Sequence, residues 1–219
     1  NFSRDLINSP ANKLNPLSYY TKIKNNQMFK KFNFVEYSEK DIGTQFPLTY
    51  AVGKSSSVKP KVIEITNKKI LQKDKPLVII GKGVTFDTGG VNIKPGNSMR
   101  NMKKDMGGSA IAISLFLLAN YFLKKTKIVL IAPLAENSVS SKSMRPGDVY
   151  KSASGKSVEI AHTDAEGRLL LADAIEKAMS YNPSMIIDFA TLTGAARVAL
   201  GEDLPCLLYT SPSPRDSRR

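Results

Sequence analysis

The chain has 219 residues, 42% of them hydrophobic and 23% charged, with a net charge of +13, one cysteine and one histidine. That length and balance suit one sizeable globular α/β domain with at most a small appendage. The single Cys206 excludes an internal disulfide and a cysteine zinc cluster, and the single His162 excludes zinc sites built on histidine pairs.

The charge admits anionic partners, nucleic acid included. Its lysines are scattered through 22–31, 54–75, 103–127 and 142–156, without an aromatic-interleaved basic stripe or an RNP, zinc-finger or leucine-zipper pattern. They read as the solubility of a Lys/Asn-rich chain. The most apolar run, 110–123, is shorter than the roughly 20 residues a membrane span needs, and Ser114 and Asn120 interrupt it. It reads as a buried helix, so no membrane partner is expected. No signal-peptide pattern opens the chain, and a start at Asn1 points to a fragment boundary.

In chain order, residues 1–8 end a helix that Ser9-Pro10 breaks. Asn15-Pro16 restarts one over 17–24, with Asn15 as cap and Pro16 at the first position. The stretch 32–37 alternates as a strand, and Ser38 caps a short helix. Strands follow at 61–65 and, fully buried, at 76–81. Gly83, Gly89 and Gly90 mark the next segment as a loop. A long apolar helix spans 107–124, a buried strand 127–133, and a polar loop 138–147. After the apolar Val158-Glu159-Ile160-Ala161, a helix covers 168–180, a strand 185–190, and another helix 194–200. Buried strands alternating with helices predict an α/β fold, a mostly parallel sheet with helices on both faces. The final 211–219, rich in Ser, Pro and Arg, reads as a disordered tail, or as a cloning or frame artefact.

The segment after the 76–81 strand reads Gly81-Lys82-Gly83-Val84-Thr85-Phe86-Asp87-Thr88-Gly89-Gly90. It is not a dinucleotide fingerprint, because Phe86 stands where the third glycine belongs, and not a P-loop, because Gly83 follows Lys82. No GxSxG elbow is present for a serine nucleophile. Taken singly, the remaining polar residues have bland readings: Asp87 a turn residue, Lys94 a surface lysine, Asp105 the N-cap of the 107–124 helix, Glu166 a first-turn acid favoured by the helix dipole. Together, Asp87, Asp105, Asp164 and Glu166 put four carboxylates at strand ends or helix starts of one predicted sheet. Clustered without compensation they would repel one another. In Asp164-Ala165-Glu166-Gly167-Arg168 two carboxylates at spacing two flank a small residue and can reach one point, a grip on a metal. Two divalent cations would balance the set, and oxygen donors suit Mg, Mn or Zn.

These residues resemble a known family. Gly81 to Gly90, Lys94, Met102 to Gly108, and His162-Thr163-Asp164-Ala165-Glu166-Gly167-Arg168-Leu169 look like the M17 cytosol (leucyl) aminopeptidases, whose signature is Asn-Thr-Asp-Ala-Glu-Gly-Arg-Leu. Arg4-Asp5-Leu6-Ile7-Asn8-Ser9-Pro10-Ala11-Asn12 and Ala190-Thr191-Leu192-Thr193-Gly194-Ala195 add to the likeness, which covers 1–205 as a catalytic domain. The resemblance implies a cytoplasmic hydrolase that removes N-terminal residues, Leu-like ones preferred, from peptides with a free N-terminus. It implies two divalent metal ions, manganese or zinc with magnesium as a further option. One would be held by Lys82, Asp87, Asp105 and Glu166; the other, more exchangeable, by Asp87, Asp164 and Glu166. A ligating Lys82 must be neutral. Lys94 would stay charged and stabilise the oxyanion, and Arg168 would hold a bicarbonate that acts as general base while a metal-activated water attacks the peptide carbonyl. The substrate's α-amine would meet one metal and Asp105. Met102, Ala165, Thr191, Leu192 and Gly194 would complete the substrate pocket with Lys82, Asp87 and Lys94.

The resemblance also implies a homohexamer for the full-length protein, a domain before Asn1 and further sequence after Pro205. This chain is therefore expected to be truncated at both ends, with 206–219 outside the matching domain. His162 replaces the signature asparagine and is expected to take a pocket-wall or hydrogen-bonding role. Two alternatives remain: an inactive fragment, and a DNA-binding homologue of the same fold.

Overall fold

In the computed structural model, residues 2–201, 203 and 205–208 are described; the 211–219 tail lies outside them. Helices α1 (Phe2–Asn8) and α2 (Pro16–Asn25) lead into the short strand β1 (Asn33–Val35), then α3 (Glu39–Gln45) and α4 (Pro47–Gly53). Strands β2 (Lys61–Thr66), β3 (Leu77–Gly81) and β4 (Gly83–Asp87) come next, followed by α5 (Gly107–Phe122) and the long β5 (Ile128–Asn137). The hairpin β6 (Val149–Lys151) and β7 (Ser157–Glu159) precedes α6 (Glu166–Met179), β8 (Met185–Phe189) and α7 (Ala195–Leu200).

Local chemistry starts the helices where the sequence predicts. Asn15 accepts from the Ser18 amide at 2.9 Å while the Ser18 hydroxyl accepts from the Asn15 amide, a reciprocal box closing α2. Ser38 and Asp41 make the same exchange at α3. Helix α4, which periodicity did not reveal, has no cap of its own. Instead Asp173 of α6 accepts from the Leu48 and Thr49 amides at 2.7 and 3.0 Å.

The main sheet runs β1-β2-β5-β3-β8, with β4 also on β5. Its β3, β4, β5 and β8 are mutually parallel, as expected, whereas β1 and β2 add an antiparallel margin. Alternate residues of each buried strand serve opposite faces. Ile63, Ile79, Ile128 and Leu130 pack under α1, α2 and α5 through Leu6, Tyr19, Ile23, Ile113 and Phe116. Val62, Val78, Ile80, Val129 and Ile131 pack under α3 and α6 through Ile42, Leu171, Ala174 and Ala178. The segment Met102–Phe122 would cross a membrane by length and composition, but α5 lays Ala110, Ile113 and Phe116 fully buried into this core.

The structure corrects several expectations. The glycine-rich segment after Gly81 is not all loop: 83–87 form β4, which follows β3 along the same strand β5, leaving Lys82 alone at the break. Strand β5 does not stop at Pro133 but continues to Asn137; Pro133 stands opposite Val62 in the antiparallel pairing with β2. The apolar Val158-Glu159 belongs to the separate β6–β7 hairpin, not to the main sheet, so Asp164 and Glu166 arrive from outside it. Helix α6 begins at Glu166 rather than Arg168.

Candidate metal centre

The break between β3 and β4 sets the centre. There the Lys82 amide donates to the Phe189 carbonyl at 2.9 Å, and its own carbonyl accepts from Ser109 at 2.8 Å, which ties β8 and the start of α5 to the same point. The Lys82 side chain, 2% exposed, reaches Asp105 Oδ2 at 2.7 Å, Glu166 Oε1 at 3.0 Å and the Thr191 carbonyl at 2.9 Å. All three ammonium hydrogens are thereby used. Asp105 does not cap α5: Met106 is the N-cap, without a side-chain bond, and Asp105 instead accepts from Lys82 and, at Oδ1, from the Thr191 hydroxyl at 2.9 Å.

A second cluster lies at the far end of β4. Lys94 Nζ meets Asp87 Oδ2 at 2.8 Å and Asp164 Oδ1 at 2.5 Å. The loop between them turns at Gly89, φ +87°, where a Cβ would come within 2.5 Å of the Asn92 carbonyl, and Gly90, φ +67°. Glycine is needed there for backbone conformation and for room. Asp87, Asp164 and Glu166 each bring a carboxylate oxygen within 4.8 Å of the others, so the two clusters form one continuous acidic cage.

Its electrostatics show a shortage of positive charge. Burial pushes the Glu166 carboxyl up to about 7, against the pull of Lys82 and with the help of Asp87 and Asp105. Burial likewise raises Asp105, only partly opposed by Lys82. For Lys82, burial disfavours the charge, but Glu166 and Asp105 outweigh it and hold the ammonium above the ordinary lysine range. Lys94 is raised too: burial works against the charge, and the hydrogen bonds to Asp164 and Asp87 prevail. Among the described residues Glu166 Oε2 is buried with no hydrogen-bond partner, a costly orphan unless a cation meets it. Four carboxylates against two ammoniums, all oxygen donors, fit hard or borderline divalent cations.

The remaining predicted residues take peripheral places. Arg168 is exposed on the first turn of α6 and makes no ion pair among the described residues. Met102 and Ala165 are half-buried beside Asp105 and Asp164, while Leu192 and Gly194 are exposed on the segment after β8. His162 is exposed, and its Nδ1 accepts from the Asp164 amide at 3.2 Å. Sequence reading missed Asn137, whose Nδ2 donates to Asp87 Oδ1 at 2.8 Å and to the Thr163 carbonyl at 3.1 Å. It also missed Thr163 and Asn92, which bind each other reciprocally and stitch the Asp87–Lys94 loop to the Asp164 segment. The available signal was a buried strand ending in polar Glu136-Asn137; ending that strand at Pro133 hid it.

The family model described as the cytosol aminopeptidase family, catalytic domain, matches residues 1–216. A probable cytosol aminopeptidase of Corynebacterium glutamicum is 44% identical over 200 residues, covering 91% of this chain and 40% of its own length. The cytosol aminopeptidase of Dictyostelium discoideum is 41% identical over 221 residues, covering 97% and 42%. Among solved structures, the cytosol aminopeptidase of Coxiella burnetii superposes with a TM-score of 0.82 at 42% identity, over 91% of this chain and 43% of that one. The bottromycin maturation enzyme BotP in complex with Mn gives 0.82 at 34% identity, over 91% and 44%. The chain thus spans about two fifths of the length of these curated relatives, 40% and 42%. The match along nearly the whole chain, with the acidic cage at its centre, places this protein in the cytosol aminopeptidase family, as part of the M17 catalytic domain.

Proposed function

We propose that this chain carries the dinuclear metal centre of an aminopeptidase that releases N-terminal residues, Leu-like ones preferred, from peptides. The observation that carries the reading is the cage of Asp87, Asp105 and Glu166, all buried, with the half-buried Asp164; among the described residues only Lys82 and Lys94 balance it and Glu166 Oε2 is unpartnered. Lys82, Asp87, Asp105 and Glu166 would hold one cation, Lys82 giving up its ammonium proton as the ion takes over the charge balance, and Asp87, Asp164 and Glu166 would hold the other. Mn2+ or Zn2+ suits the donors, with Mg2+ as a further option, and the Mn complex of BotP supports the first. When bound, the pair supplies Lewis acidity toward the scissile carbonyl and a water activated at neutral pH.

The chain's own residues do the rest. Asp105 accepts from the substrate's α-amine, which limits cleavage to the first residue. Lys94, kept charged by Asp164 and Asp87, donates to the oxygen on which negative charge develops. The Arg168 guanidinium, free of protein partners among the described residues, holds bicarbonate as the proton acceptor. Met102, Ala165, Thr191, Leu192 and Gly194 line the path of the first side chain. We assign the assembled protein to a cytoplasmic homohexamer, following the family name of its relatives for location and the resemblance for assembly.

The test is Mn2+ or Zn2+ titration of the chelator-stripped protein, followed by leucyl-peptide hydrolysis. Two ions bound per chain and metal-dependent release of free leucine are expected. Release that proceeds equally in excess chelator, or no ion binding, rejects the reading.

A further inference from the structure

We propose that Asn137 is a positioning residue of the metal centre, fixing the plane of the Asp87 carboxylate and setting the spacing between Asp87 and Asp164. The inference rests on the reading of those two aspartates as cation ligands.

Asn137 closes β5 directly opposite Asp87 in the β4–β5 register and is 2% exposed. One amide hydrogen goes to Asp87 Oδ1 at 2.8 Å and the other to the Thr163 carbonyl at 3.1 Å. Both partners can only accept, so the orientation of the amide follows from its chemistry. Asp87 Oδ1 also takes the Gly89 amide at 2.9 Å and is thereby saturated, which turns Oδ2 inward, where Lys94 meets it at 2.8 Å. Without the Asn137 amide, the Gly89 amide alone holds that side of the carboxylate, and its plane can swing about χ2 away from the orientation that aims the other oxygen inward.

The second hydrogen reaches the residue just before Asp164. Asn137 is thus a rigid link between the β4 end and the α6 approach, beside the Thr163–Asn92 pair. Its own backbone is held in turn: its carbonyl accepts from the Thr88 amide at 3.0 Å and from the Thr88 hydroxyl at 2.8 Å. Two cations sharing Asp87 and Glu166 need that separation preset, because carboxylates left to themselves spread apart under mutual repulsion.

The test compares wild-type protein with Asn137→Ala and the near-isosteric Asn137→Leu, which keeps the volume but removes both donors. Mn2+ binding to the metal-free proteins is measured by calorimetry well below the melting temperature, and adjacency of the ions by electron paramagnetic resonance. Wild type is expected to bind two Mn2+ with the signal of a spin-coupled pair. In the variants one Mn2+ is expected to bind about tenfold more weakly or worse, and the coupled signal to give way to that of isolated ions. Should Asn137→Ala unfold, Asn137→Leu is read in the same way. Variants that melt earlier yet keep both affinities and the coupled signal would show a merely structural role and overturn the proposal. Wild-type protein without an Mn2+ pair would instead sink the metal-centre reading beneath it.

Discussion

Gly167 lies flat against the side chain of Lys82: a Cβ built on it would come within 2.6 Å of Lys82 Cε and 2.9 Å of Nζ. The lysine has no room to yield, since Asp105, Glu166 and Thr191 hold it on its other side. Gly167 is the second residue of α6, where alanine is intrinsically favoured by up to about 1 kcal/mol. Overpacking outweighs that preference, so Gly167→Ala is expected to lower the melting temperature by a few degrees and kcat/KM by roughly a hundredfold through displacement of Lys82 and Glu166. Thermal melts beside peptide hydrolysis check this; an unchanged rate would show that Lys82 tolerates being moved.

Lys94 and the aspartates it bridges answer differently to truncation. Asp164→Ala and Glu166→Ala each remove an oxygen from the 4.8 Å cluster and are expected to abolish binding of at least one metal ion. Lys94→Ala instead removes an ammonium that competes for Asp87 Oδ2 and Asp164 Oδ1. Its metal affinity is expected to stay at or above wild type, while turnover drops by roughly 10²–10³ with loss of a preorganised donor. Metal analysis by mass spectrometry with leucyl-amide kinetics separates the two effects. Full turnover of Lys94→Ala would refute its role.

Asp173 tests stability apart from chemistry. Its Oδ2 supplies the cap that α4 lacks, and its Oδ1 accepts from the Ala153 amide at 3.0 Å, beside the β6–β7 hairpin. Asp173→Ala strands these donors, at a cost of about 2–3 kcal/mol for hydrogen bonds to a charged acceptor. A fall in melting temperature of about 5–10 °C is expected, with metal binding per folded molecule unchanged.

Alkaline stability involves the cluster of Tyr37, Tyr181 and Glu64. This fully buried carboxylate of β2 accepts from Tyr37 at 2.5 Å and from Tyr181. Burial first, then the Glu64 charge, raises both phenols above their ordinary value near 10. The folded state therefore keeps protons that the unfolded chain releases above pH about 10. The stabilisation is complete below that pH and is lost as pH rises beyond it. Glu64→Gln is expected to flatten the fall of melting temperature above pH about 10; an unchanged slope would place the alkaline loss elsewhere.

Much of this protein is written in local chemistry. The Asn15 and Ser38 caps, the buried runs of β3 and β5, the long apolar α5 and the candidate carboxylates at 87, 105, 164 and 166 were legible, because capping, periodicity and charge spacing act within a few residues; Lys82 as a ligand was implied only by the family resemblance. Resemblance to a family then tied those scattered acids together.

What the sequence could not determine depends on partners distant in the chain. That 83–87 form a strand follows from the second half of β5 offering an edge there, not from Gly83-Val84-Thr85 itself. Helix α4 exists because Asp173, 125 residues from Leu48, supplies its cap. Asp105 looked like a helix cap until folding set Lys82 and Thr191 beside it, and Asn137 had no meaning before β4 lay alongside β5. Local preferences chose the elements and the residue types, while long-range contacts decided which polar atoms meet, because a buried charge is held by whatever the fold places within hydrogen-bond reach.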